Sequence, residues 1–152
     1  MLAEHPKRIA AATAGVSAAR LRDEAILGAW SARDILGHLR ACADARGDFI
    51  PRIIAERRPT LRAIDPGSLL ERSDYLEVEF APSFRAFVRQ RAKLVKFLKA
   101  LPRKDWSRTA IITGGGIARE RTVLFYAQWL ARHEPAHVRH IEQFAQKVAT
   151  AR

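Results

Sequence analysis

The segment RHEPAHVRH, residues 132 to 140, carries three histidines in nine residues. His133 and His137 are four apart, so on a helix their rings lie one turn from each other and can converge on one point. Neutral imidazoles placed this way can hold a divalent ion, and a three-histidine site leaves coordination positions open for water or substrate. HEPAH also matches H-E-x-x-H, the pattern in which two histidines hold zinc and the glutamate acts as a base. Pro135 argues against that peptidase reading, because inside a helix it removes an amide and crowds the carbonyl of residue 131, so the helix is expected to be distorted there. Only 15 residues follow His137 to supply a downstream ligand, and no obvious strand would hold a peptide.

A third imidazole comes from upstream. His38 lies three residues after Ile35 and four before Cys42, in a stripe that continues through Ala45, Phe49 and Ile53. His137 lies seven after Leu130 and seven before Phe144. Both are therefore expected to point inward from different helices. A single histidine on an apolar face is more often a hydrogen-bonded core residue than a ligand; a second inward stripe with its own histidine strengthens the metal reading. Asp34 and Glu134 are the acids placed to orient a ligand or move a proton, although Asp34 also reads as a helix cap. Cys42 reads as a small buried residue at a helix contact.

These side chains need helices to hold them, and the sequence supplies four helical stretches. Residues 4 to about 24 show Ile9, Ala12, Val16 and Leu21 near helical spacing. The second helix is expected to begin at Ser31, which can cap the amide of residue 34 while Asp34 reaches back and Trp30 packs on Ile35. Pro51 predicts a kink or break near its far end. Residues 58 to 74, with two prolines and a glycine, read as a connection. Phe80, Phe84, Phe87, Arg91, Leu94, Leu98 and Leu101 mark a third helix ending before Pro102, with Arg91 expected to pack its stem and carry its head to water. Residues 106 to 120 read as a short extended excursion or loop, and the triple glycine lacks the pattern of a phosphate loop. The last helix is expected near Thr122, with Val123, Ala127, Leu130, His137, Ile141, Phe144 and Val148 on one side. The fold class is all-α, a four-helix bundle with an irregular excursion before the last helix, and residues 1–152 form a single domain.

Charge and composition narrow the partners. The chain has 27 Lys and Arg against 16 acids, a net charge of +11. Its 21 arginines are spread along the chain, with RRPTLR (57 to 62) the densest run, so no dedicated nucleic-acid partner is expected. No run of 18 uncharged apolar residues could span a bilayer, and the N-terminus lacks the apolar centre of a signal peptide. A single cysteine excludes an internal disulfide and fits a reducing compartment, so a cytoplasmic location is the expectation.

WSARDILGHLRACADAR (30 to 46), followed far downstream by YAQWLARHEPAHVRHIEQF (126 to 144), resembles the DinB/YfiT-like superfamily of metal-binding four-helix bundles, with one histidine on the second helix and an H-x-x-x-H pair on the last. The resemblance implies His38, His133 and His137 as metal ligands, the same three that periodicity selects. Two residues depart from the pattern: Pro135 lies inside the pair, and His140 stands where relatives often carry a glutamine and reads as exposed. Characterised relatives include transferases and isomerases dependent on low-molecular-weight thiols, and others are described as metal-dependent hydrolases. The implied function is a divalent-metal enzyme, with Zn, Ni, Mn or Fe activating water or such a thiol against a small-molecule substrate. Homodimerisation is a further expectation from the family. The competing expectation is a non-enzymatic bundle used for self-association or partner binding, with a vestigial metal site.

Overall fold

A computed structural model describes residues 1–24 and 30–150. The first helical stretch divides into α1 (His5–Thr13) and α2 (Ala18–Leu21), where one helix to about residue 24 is predicted. Gly15 causes the break: its φ of +75° is left-handed, a conformation that ends helices and that glycine adopts without a Cβ clash. Ser17 then restarts the chain, accepting a hydrogen bond from the Arg20 amide at 3.3 Å.

The helix that carries His38 begins as predicted. Ser31 is extended, its Oγ accepts from the Asp34 amide at 3.2 Å, and the Asp34 carboxylate accepts from the Ser31 amide at 3.0 Å and its hydroxyl at 2.6 Å. This capping box opens α3 (Ala32–Gly47), and α4 (Phe49–Ala55) follows after a break at Asp48. Pro51 explains the break, because it has no amide to give the carbonyl of Gly47. Trp30 is turned toward His38, with ring centroids 5.2 Å apart.

The connection from 58 to 74 holds β1 (Thr60–Arg62) and α5 (Pro66–Arg72), and α6 (Phe80–Ala100) ends ahead of Pro102. A 3-10 turn at Arg103–Ser107 leads into β2 (Thr109–Thr113) and β3 (Arg119–Thr122), and α7 (Val123–Thr150) completes the described chain. The bundle is therefore not purely α. Its excursion is a hairpin that takes up β1 as a parallel third strand, in the order β1-β2-β3. The β-branched run of TAIIT favours the extended chain, and Gly114 and Gly116, at φ +88° and +91°, make the reversal.

Helices α1, α3, α6 and α7 form the bundle. A bidentate pair from Arg8 to Glu142, both bonds 2.8 Å, ties α1 to α7. The core separates into two apolar clusters, one including Ile9, Ile35, Phe87 and Phe144, the other Phe49, Ile53, Tyr126 and Leu130. Between Leu130 and Val138 on α7, between Leu36 on α3 and Phe49 at the start of α4, and between Phe87 and Leu98 on α6, the chain contributes histidines, a cysteine, acids and arginines. A polar layer thus crosses the bundle between two apolar halves. Helix α7 continues through Pro135 without a break, packed against α1 and α3. None of the described helices is long and apolar enough to cross a membrane.

Candidate metal centre

On α3, His38, Cys42 and Arg46 follow one another at four-residue steps. On α7, which runs the other way, Phe125, Trp129, His133 and His137 do the same. Such spacing keeps each set along one side of its helix. His38 Nε2 and His133 Nε2 stand 3.3 Å apart, and Cys42 Sγ lies 3.4 Å from each. His137 stands beside the group, its ring centroid 4.7 Å from that of His38 and 4.6 Å from that of His133, but outside the set of ligand atoms that lie within 4.8 Å of one another. Trp129 stacks on His133 at 4.5 Å and 16°.

All three histidines are half-buried rather than inward-facing. Of the predicted stripe of α7, Val123, Ala127, Leu130, Ile141, Phe144 and Val148 are buried, but between Leu130 and Ile141 the buried positions are Glu134 and Val138, which leaves His133 and His137 on the flank. Burial, with the neighbouring His133, makes His38 less basic than a free imidazole, and burial likewise lowers His133. Burial and the adjacent imidazoles bring His137 down to about 4, and its Nδ1 is buried without a hydrogen-bond partner. The rings are therefore neutral at neutral pH, the state in which imidazole is a ligand. Burial pushes the Cys42 thiol up to about 12 against the opposing pull of Arg46. That thiol ionises at neutral pH only with a cation beside it.

The donor set fits a first-row divalent ion. Two nitrogens bound at ~2.1 Å to a tetrahedral centre are ~3.4 Å apart, and a sulfur at ~2.3 Å is ~3.6 Å from each. His38, Cys42 and His133 meet those separations with one ligand atom apiece, all within 4.8 Å of one another. Cys42 thus belongs with the histidines, not merely at a helix contact, and its place one turn after His38 was the signal for it. His140 is exposed, 6.1 Å from His137 between ring centroids, as expected.

The two acids singled out in the sequence are engaged elsewhere. Asp34 is held in its capping box. Glu134 accepts from His5 Nδ1 at 2.7 Å through one oxygen and from Arg91 Nη2 through the other, and the three residues are 1%, 2% and 1% exposed for Glu134, His5 and Arg91 respectively. Arg91 therefore does not carry its head to water: its charge is buried against Glu134. Both carboxylate oxygens of Glu134 are thus engaged by side chains of α1 and α6, a structural role rather than the one a peptidase glutamate performs.

A family model described as the DinB superfamily matches residues 1–141. No curated protein matches the chain. Among solved structures, YfiT from Bacillus subtilis, described as a probable metal-dependent hydrolase with an unusual four-helix bundle topology, superposes with a TM-score of 0.74 at 18% identity, covering 97% of this chain and 83% of that one. At that identity the likeness concerns the fold. The family match spans both helices that carry the histidines, and on it the chain belongs to the DinB superfamily.

Proposed function

We propose that the protein is a metal-dependent enzyme acting on a small molecule, with His38, His133 and His137 holding a divalent ion and Cys42 available to it as a further donor. The observation that carries this reading is the 3.3 Å approach of His38 Nε2 to His133 Nε2 with Cys42 Sγ 3.4 Å from both. When bound, the ion supplies Lewis-acid polarisation and lowers the pKa of water or a low-molecular-weight thiol, the chemistry of a hydrolase or of a thiol-dependent S-transferase. The chain's own residues prepare for it. His38 and His133 are kept neutral by burial, Trp129 fixes the plane of the His133 ring, and the half-burial of all three rings leaves an approach from solvent. Asp34 and Glu134, whose oxygens are taken up, fit positioning of α3 and α7 better than proton transfer. The description of YfiT as a probable metal-dependent hydrolase supports the same class.

The same nitrogen separation would suit a hydrogen bond between two neutral rings, so metal content is the deciding measurement. Elemental mass spectrometry on untagged protein, reconstituted with Zn, Ni, Mn or Fe, should give about one equivalent, lost in a folded His38→Ala, His137→Ala variant. Metal-free protein after every reconstitution would overturn the proposal.

A further inference from the structure

A cavity of about 200 Å³ lies beside the histidine cluster, between the hairpin and α7. Arg46, Arg119 and Arg121 line it together with Phe125, Tyr126 and Trp129, and no acid does. The strand period explains the charge. Along β3, Arg119 and Arg121 share one face while Glu120 takes the other, where it accepts from Arg58 Nε at 3.0 Å and Thr109 Oγ1 at 2.8 Å. The one acid of the strand is thereby removed from the cavity and its two arginines are left there.

Arg46 comes from α3, one turn or ~6 Å of helix rise beyond Cys42. Its guanidinium carbon sits 5.5 Å from the centre of the Trp129 ring, and its Nε is buried with no hydrogen-bond partner. Arg8 is paired with Glu142 and Arg22 with Glu79, whereas the cavity around Arg46 offers no acid. A buried donor without an acceptor is costly unless a ligand supplies the acceptor. The cavity adjoins the cluster: Phe125 and Trp129 also line a second cavity, of about 260 Å³, whose wall includes His133.

We propose that the arginine cavity is a subsite for an oxyanion, a carboxylate or phosphate, of the small molecule whose reacting group meets the histidine cluster. Arg46 is the principal anion ligand, with its planar fork suited to two oxygens, and Arg119 and Arg121 complete the field. The link to the reacting group rests on the metal-centre reading; anion binding in the cavity does not.

The test is calorimetric titration of inorganic phosphate and, separately, of succinate into native and chelator-treated protein at matched ionic strength. Binding at one site is expected in both preparations, weakened tenfold or more by Arg46→Gln and by the Arg119→Gln, Arg121→Gln double variant, and unchanged by Arg89→Gln on the exposed side of α6. The hairpin variant keeps the test alive if Arg46→Gln does not fold. The stronger of the two anions identifies whether the substrate group is phosphoryl or carboxylate. Equal affinity in all variants would mean general attraction to a chain of charge +11 and would overturn the proposal, as would absence of binding. Anion binding in protein that takes up no metal would sink the metal reading and leave the subsite standing; metal without anion binding would do the reverse.

Discussion

Trp129 lies flat on the His133 ring, 4.5 Å between centroids and 16° between planes, while Trp30 leans on His38 at 5.2 Å and 58°. Two tryptophans thus bracket the imidazole pair and restrict rotation of both rings, so that the Nε2 atoms face each other. Residues that orient a ligand without touching the ion typically account for 10–100-fold in affinity. Trp129→Ala is expected to weaken zinc binding by about tenfold in a chelator competition, with the helical circular dichroism retained, because Trp129 is only partly buried against the second apolar cluster. Trp129→Phe, which keeps a stacking face, should recover most of the affinity.

The His5, Glu134 and Arg91 group makes a different prediction, about stability. Removing one member of a buried ion pair strands the other, at a cost of about 3–5 kcal/mol, whereas replacing both by apolar residues is often nearly neutral. Glu134→Ala should therefore lower the urea midpoint strongly, and Arg91→Met with Glu134→Met should recover much of the loss. The double variant should also retain its metal. Loss of metal with full folding would return Glu134 to the chemistry of the site.

That group shows where the sequence was legible and where it was not. Ser31 and Asp34 are three residues apart, so their reciprocal bonds follow from local geometry and the start of α3 could be placed from sequence. The end of α6 followed from a proline and the start of α7 from periodicity, both local signals as well. The partner of Arg91 is 43 residues away and that of His5 is 129 away. No spacing rule reports such a pairing, and an arginine in an apolar stripe reads as a snorkelling one. His38 and the α7 histidines were found because each sits in its own helical repeat. Cys42 and Arg46 continue the His38 line at the same step, which is a signal for both, but a small buried cysteine reads first as a packing residue and an arginine as a solvated one until Trp129 and His133 are seen opposite them.

Protonation should destabilise the metal-free protein. His137 is held at about 4 in the fold and titrates near 6.5 when free, so the unfolded chain takes up its proton first as the pH falls. The stability that its neutral form contributes is fully present above 6.5 and is lost between 6.5 and about 4, with His38 and His133 acting in the same direction. The thermal midpoint of chelator-treated protein should fall across this window, and His137→Gln should flatten the fall. A midpoint that rises on acidification would contradict the assignment. Metal affinity should drop in the same direction, because protons compete for the imidazole nitrogens.

Two glycines on α3 should respond to alanine with opposite signs. Propensity alone favours alanine over glycine inside a helix by about 0.5–1 kcal/mol. At Gly37, next to His38, an added Cβ would come within 3.0 Å of the Tyr75 carbonyl oxygen and 3.3 Å of its carbon. These are backbone atoms in the segment that crosses α3, where Tyr75 also donates to Asp44, so they cannot swing aside as a flexible side chain would. Overpacking of this kind typically costs about 1–3 kcal/mol, more than the propensity gain, and Gly37→Ala should be destabilising with a loosened histidine cluster beside it. At Gly47 the added Cβ would meet only Leu130 Cδ1 at 3.9 Å, an ordinary contact. Gly47→Ala should therefore be neutral or stabilising by up to about 1 kcal/mol in a urea titration. Equal effects at the two positions would mean that the chain crossing at Tyr75 yields easily and that Gly37 is not what allows it to pass so close to the helix that carries His38.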